Sequence, residues 1–125
     1  MILWIWLIWW VISWFEPIVI WLPESAPFYG ITVAPFLFIN SRAQDELWIL
    51  MHERRHLIQQ RIISPLIFLI VYTAMSGILF LYALIVYRNT EKAFKFAWWF
   101  NWFEEDARCR GGYFTDKCHF EDWEG

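Results

Sequence analysis

His52-Glu53-Arg54-Arg55-His56 stands near the middle of a 125-residue chain, and the reading of the whole fold turns on it. Helix signals precede it. Asn40-Ser41 opens a helix expected to run to about Arg61, with Ser41 and Gln44 at capping-box spacing and Asp45 and Glu46 in the acid-favouring first turn. On such a helix two His at i and i+4 share one face, so both imidazoles reach one Zn²⁺ at about 2.0–2.1 Å. The Glu beside the first His can then take a proton from water. This points to zinc-dependent hydrolysis with His52 and His56 as ligands and Glu53 as the catalytic base.

Such a site needs a third protein ligand. The compact form of the motif, with Gly and then His following at fixed spacing, is absent, because Gln59 and Ile62 occupy those positions. A distant donor is required, and the candidates are Glu91, Glu104, Glu105, Asp106, Cys109 and His119. Glu104 to Asp106 form a tight acidic group after the aromatic run Phe96 to Phe103, and an unpaired buried carboxylate is costly.

Composition supplies the setting. Hydrophobic residues make up 59 % and charged residues 18 %, and eleven Trp, twelve Phe and five Tyr exceed what a small soluble core can hide. A lipid interface suits the surplus. A net charge of -3 without a basic cluster excludes nucleic acid as a partner. Met1 to Leu22 carries only Glu16 as an ionisable side chain and reads as one retained membrane segment, with Trp4, Trp6, Trp9, Trp10, Trp14 and Trp21 reaching headgroup depth. Tyr29 to Val33 reads as a short strand, which Pro35 confines to a sheet edge.

Ile62 to Tyr87 holds 26 residues without a formal charge. A single crossing there would part His52 and His56 from any ligand after residue 88, so a hairpin of two short helices broken at Ser76-Gly77 is expected, with a second span as the alternative. Tyr72, Tyr82 and Tyr87 then lie at headgroup depth. All ten Lys and Arg fall between Arg42 and Lys117, which directs the catalytic part to the cytoplasm. Cys109 and Cys118 fit either a reduced pair or one disulfide.

His52-Glu53-x-x-His56-Leu57-Ile58-Gln59, followed by Asn101-Trp102-Phe103-Glu104-Glu105-Asp106-Ala107-Arg108, resembles short bacterial zinc metallopeptidase-like proteins of the gluzincin type over roughly residues 31 to 113. The resemblance implies Glu104 as the third metal ligand, Asp106 in the place of the family's second acid, and Gln59 as an orienting group beside the metal face. Arg54 and Arg55 depart from the apolar residues usual between the two His. By helical geometry Arg54 points away from the metal and Arg55 to one side of it, so the back of the helix has to meet water, headgroups or acids.

The expected architecture is therefore mainly α with a short β region. It comprises a membrane anchor over 1–22 and a minimal zincin-like metallopeptidase domain over 23–125, with the hydrophobic hairpin at 62–87. Zn²⁺ is the expected cofactor, and the bilayer and a peptide or protein substrate are the expected partners. The competing expectation is a non-enzymatic membrane protein, an assembly or membrane-perturbing factor with two transmembrane helices, in which His52 and His56 merely line a polar helix face.

Overall fold

The computed structural model describes residues 1–43 and 46–124. Gln44 and Asp45, and with them half of the expected capping box, lie outside the described residues. The chain is mainly helical with one small sheet. Helix α1 (Ile2–Ile12) is followed by strands β1 (Ile18–Leu22), β2 (Gly30–Val33) and β3 (Phe36–Asn40). Helices α2 (Leu47–Ile63), α3 (Pro65–Tyr87), α4 (Thr90–Phe100) and α5 (Trp102–Asp106) complete the frame, and a π-helical turn at Ala107–Gly111 extends α5.

The first 22 residues are not one membrane segment. Glu16-Pro17 divides them, and the β-branched run Ile18–Leu22 joins the sheet as a strand parallel to β3. The remaining 11-residue α1 measures about 16 Å, half of a ~30 Å hydrocarbon core. Nor do all its indoles serve headgroups. Trp9 donates to the Ala34 carbonyl (2.7 Å), Trp10 to the Arg61 carbonyl (2.8 Å) and Trp6 to Ser64 Oγ (2.7 Å), so three N–H groups bolt α1 to the end of α2 and the β2–β3 turn. Trp4 and Trp14 remain exposed.

β3 is central, with β1 parallel on one side and β2 antiparallel on the other. The expected strand at Tyr29 to Val33 is thus present as the edge strand β2. Leu37 and Ile39 of β3 pack with Ala34, Ile49 and Leu57 to form the core between the sheet and α2. Buried Gln60 closes part of the edge of β2, accepting from Ala34 N and donating to Thr32 O, both at 2.9 Å.

α2 begins later than expected, at Leu47, after a 3₁₀ turn at Ser41–Ala43. It ends where Pro65 disfavours a helical conformation for Ser64, which takes φ 79° and caps the next helix by accepting from Ile67 N. α3 then runs unbroken for 23 residues, so the expected hairpin turn at Ser76-Gly77 does not form. One glycine costs a helix only about 1 kcal/mol, and Ser76 Oγ accepts from Asn101 Nδ2 at 2.9 Å instead of breaking the chain. α3 is the one helix among the described residues long and apolar enough to cross a membrane, and its side chains are largely uncovered.

The reversal comes at Arg88, in the left-handed conformation (φ 54°), and Asn89, which caps α4 by accepting from Lys92 N. Ala83, Ala93 and Ala97 are buried and let α4 lie close against α3, while Phe80 meets Phe94 and Tyr82 meets Phe96. A continuous α3 therefore does not part the two His from the acids beyond residue 88. Fifteen residues lead from Tyr72 to Tyr87 and fourteen from Thr90 to Glu104, so the return arm brings Glu104 back level with Tyr72, about 22 Å from the turn.

Candidate metal centre

His52, Glu53, His56, Gln59 and Glu104 are all buried and converge where α2, α3 and α5 meet. Helical register on α2 sets both imidazoles on one face, their rings 4.9 Å apart. Asn101 caps α5 by accepting from Phe103 N, which starts the turn that carries Glu104 inward. Glu104 Oε1 lies 3.0 Å from His52 Nε2 and 2.7 Å from His56 Nε2, and all three donor atoms fall within 4.8 Å of one another.

The outer ring nitrogens are committed elsewhere. His52 Nδ1 meets the Gly112 carbonyl at 3.1 Å, and His56 Nδ1 meets Gln59 Oε1 at 2.8 Å. The Gln59 amide cannot be reversed without loss, because its Nε2 donates to Phe103 O (2.9 Å) and to Asp106 Oδ2 (2.7 Å). Both Nδ1 atoms thus carry protons, and the two Nε2 atoms turn their remaining valence toward one carboxylate oxygen. Two imidazoles and a carboxylate are a donor set able to hold a metal ion such as zinc, whose tetrahedral ligands stand about 3.3 Å apart; the two contacts to Glu104 Oε1 are 3.0 and 2.7 Å. The residues fit the metal.

Without a metal, charge and shared protons hold the same side chains together. Burial opposes charge on Glu104, yet the two imidazoles hold its carboxyl well below the usual carboxylate range. Burial alone would depress His56, but Glu104 and Glu53 outweigh it and raise the imidazole to about 9. Glu53 is pushed up by burial, against the pull of His56 and the Thr32 hydroxyl 2.6 Å from its Oε2. Glu53 therefore holds a proton more readily than a free carboxylate does.

The remaining candidates take other work. Asp106 pairs with Arg55 (2.7 and 3.2 Å), so the acid that meets the side of α2 is Asp106, while Arg54 is exposed. Glu91 faces Lys95 on the surface, and Glu105 accepts from Phe120 N. Cys109 and Cys118 form a disulfide, with His119 Nδ1 3.6 Å from Cys109 Sγ. The disulfide closes the loop that supplies Gly112 to His52. Gly111 and Gly112 press on α2 so closely that a Cβ would lie 2.7 Å from Arg55 Cβ and 2.5 Å from Trp48 O respectively.

Sequence reasoning missed Tyr72. Its hydroxyl donates to Glu104 Oε2, so it faces the site and not the headgroups. It also missed Gly30, where a Cβ would stand 2.8 Å from Glu53 Cγ, and the glycine is what lets β2 approach the Glu53 carboxylate so closely. Two cavities meet at Glu53, Tyr72 and Glu104: one of about 470 Å³ on the His52 side and one of about 230 Å³ on the His56 side, between β2 and α3. Comparison with known proteins finds no matching family model, no matching curated protein and no matching solved structure.

Proposed function

We propose that this protein is a membrane-associated zinc metallopeptidase with a minimal zincin-like core, as the gluzincin resemblance implies. The observation that carries the reading is the convergence of His52 Nε2, His56 Nε2 and Glu104 Oε1, with each imidazole anchored through its other nitrogen. A bound zinc ion supplies Lewis acidity to the scissile carbonyl and to water. Glu53 accepts the proton of the attacking water and returns it to the leaving amine. Thr32 holds the Glu53 carboxylate in place, and Tyr72 holds Glu104. The apolar length of α3 supports association with a bilayer, and the substrate in this reading is a peptide or protein met there. The Cys109–Cys118 disulfide argues for the oxidising side of that membrane, in place of the cytoplasmic side favoured by the Lys and Arg distribution.

Metal analysis of the detergent-purified protein tests the reading. About one zinc per chain is expected, lost in His52→Ala and in Glu104→Ala. Glu53→Gln should keep the zinc and lose peptide hydrolysis. A wild-type chain that takes up no zinc refutes the proposal.

A further inference from the structure

The larger cavity at the metal centre is walled mainly by rings. Phe28, Trp48, Trp98, Tyr113 and Phe114 line it, and among the described residues Glu53 and Glu104 are its only acids. Trp48 meets Tyr113 edge-on with centroids 5.7 Å apart, and Trp98 stacks on the His52 ring at 6.2 Å and 19°. The cavity therefore reaches the ligand face without a break, and its 470 Å³ fall in the range of small-molecule sites. The 230 Å³ cavity on the other side is smaller and sets Ile31, Val33 and Leu69 beside Phe68 and Tyr72.

Charge disfavours an acidic occupant and leaves a basic one to compete with rings. An acidic side chain entering the larger cavity would face Glu53 and Glu104. A basic one would be drawn to the same two acids, but it finds the Trp98 ring already engaged by the Arg108 guanidinium, 4.8 Å from it and 4.0 Å from the Trp99 ring. Ring walls favour rings, which gain from edge and offset contacts beyond the area they bury.

We propose that this cavity is the specificity pocket, taking the large aromatic side chain of the residue next to the scissile bond. The inference rests on the metallopeptidase reading and adds the substrate class: peptides with Phe, Tyr or Trp at the cleavage point. Selectivity is built by α2, α4 and the disulfide-closed loop together, since Trp48, Trp98, Tyr113 and Phe114 come from those three segments.

The test uses zinc-loaded wild-type protein in detergent, because hydroxamates chelate the metal and offer no scissile bond there. Zinc content is measured first. Capped amino-acid hydroxamates bearing Phe, Trp, Ala, Asp or Lys side chains are then titrated calorimetrically, the hydroxamate serving as a common metal-chelating group. The Phe and Trp probes should bind roughly tenfold or more tighter than the other three. Phe114 is exposed on the rim, so Phe114→Asp should leave the fold intact, cut the aromatic preference several-fold and improve binding of the Lys probe. Equal affinities for all five probes, a preference for Asp or Lys, or no binding to zinc-loaded protein overturns the pocket while leaving the metal centre standing. Absence of zinc before any probe is added removes the metallopeptidase reading and this proposal with it.

Discussion

Gln59→Leu isolates one buried amide from the donor atoms it serves. Gln59 accepts from His56 Nδ1 at 2.8 Å and donates to Phe103 O and Asp106 Oδ2. Leucine fills similar volume and supplies none of these bonds. Asp106 keeps Arg55, but the His56 N–H and the Phe103 carbonyl lose their partner, at about 1–3 kcal/mol for each group left unsatisfied. Freed of its acceptor, the His56 ring can rotate or change tautomer, and loss of such an outer partner typically weakens metal binding 10- to 100-fold. Zinc affinity is measured by competition with a chelator of known affinity, and stability by thermal unfolding of the metal-free protein. Gln59→Glu is the control. It keeps an acceptor for His56 Nδ1 and sets a second carboxylate beside Asp106, so it should lose stability while keeping most of the zinc affinity. Zinc affinity of Gln59→Leu within twofold of wild type would refute the claim that this amide orients the ligand.

Three further outcomes are expected. His56, raised from 6.5 to about 9, stabilises the metal-free fold fully below pH 6.5, and that contribution is lost as pH rises through 9; zinc uptake at pH 7 should release a proton, read by calorimetry in buffers of different ionisation enthalpy. Tyr72→Phe removes the hydroxyl from Glu104 Oε2 and should lower zinc affinity about tenfold, whereas an unchanged affinity would show that Tyr72 does not hold the ligand. Replacing Cys109 and Cys118 by Ser opens a loop of nine-residue separation, costing about 2–3 kcal/mol, or a Tm lower by on the order of 10 °C, and should weaken zinc binding through Gly112; an unchanged Tm would deny the disulfide its role.

Legibility in the sequence tracks the range of the interactions. The i, i+4 spacing of His52 and His56 is local, and α2 carries both where periodicity places them. Ser64-Pro65 is a local break, and it occurs. Ile18–Leu22 is ambiguous by itself, because a short apolar run satisfies a strand and a membrane helix equally, and only its pairing with β3 decides for the strand. Gly77 is a weak breaker, because a single glycine rarely stops a helix that a second arm supports by packing along it. Tyr72 lies beyond local reading altogether, since its meeting with Glu104, 32 residues away, depends on the pairing of two arms.

The length of those arms carries a consequence of its own. Glu104 hangs from a folded ruler whose crease is at Arg88-Asn89, and adding one residue to either arm between Tyr72 and Glu104 slides the carboxylate by about 1.5 Å and turns it by about 100°. The count of residues in the two arms therefore constrains the site more tightly than the identity of the side chains at the far end of the hairpin.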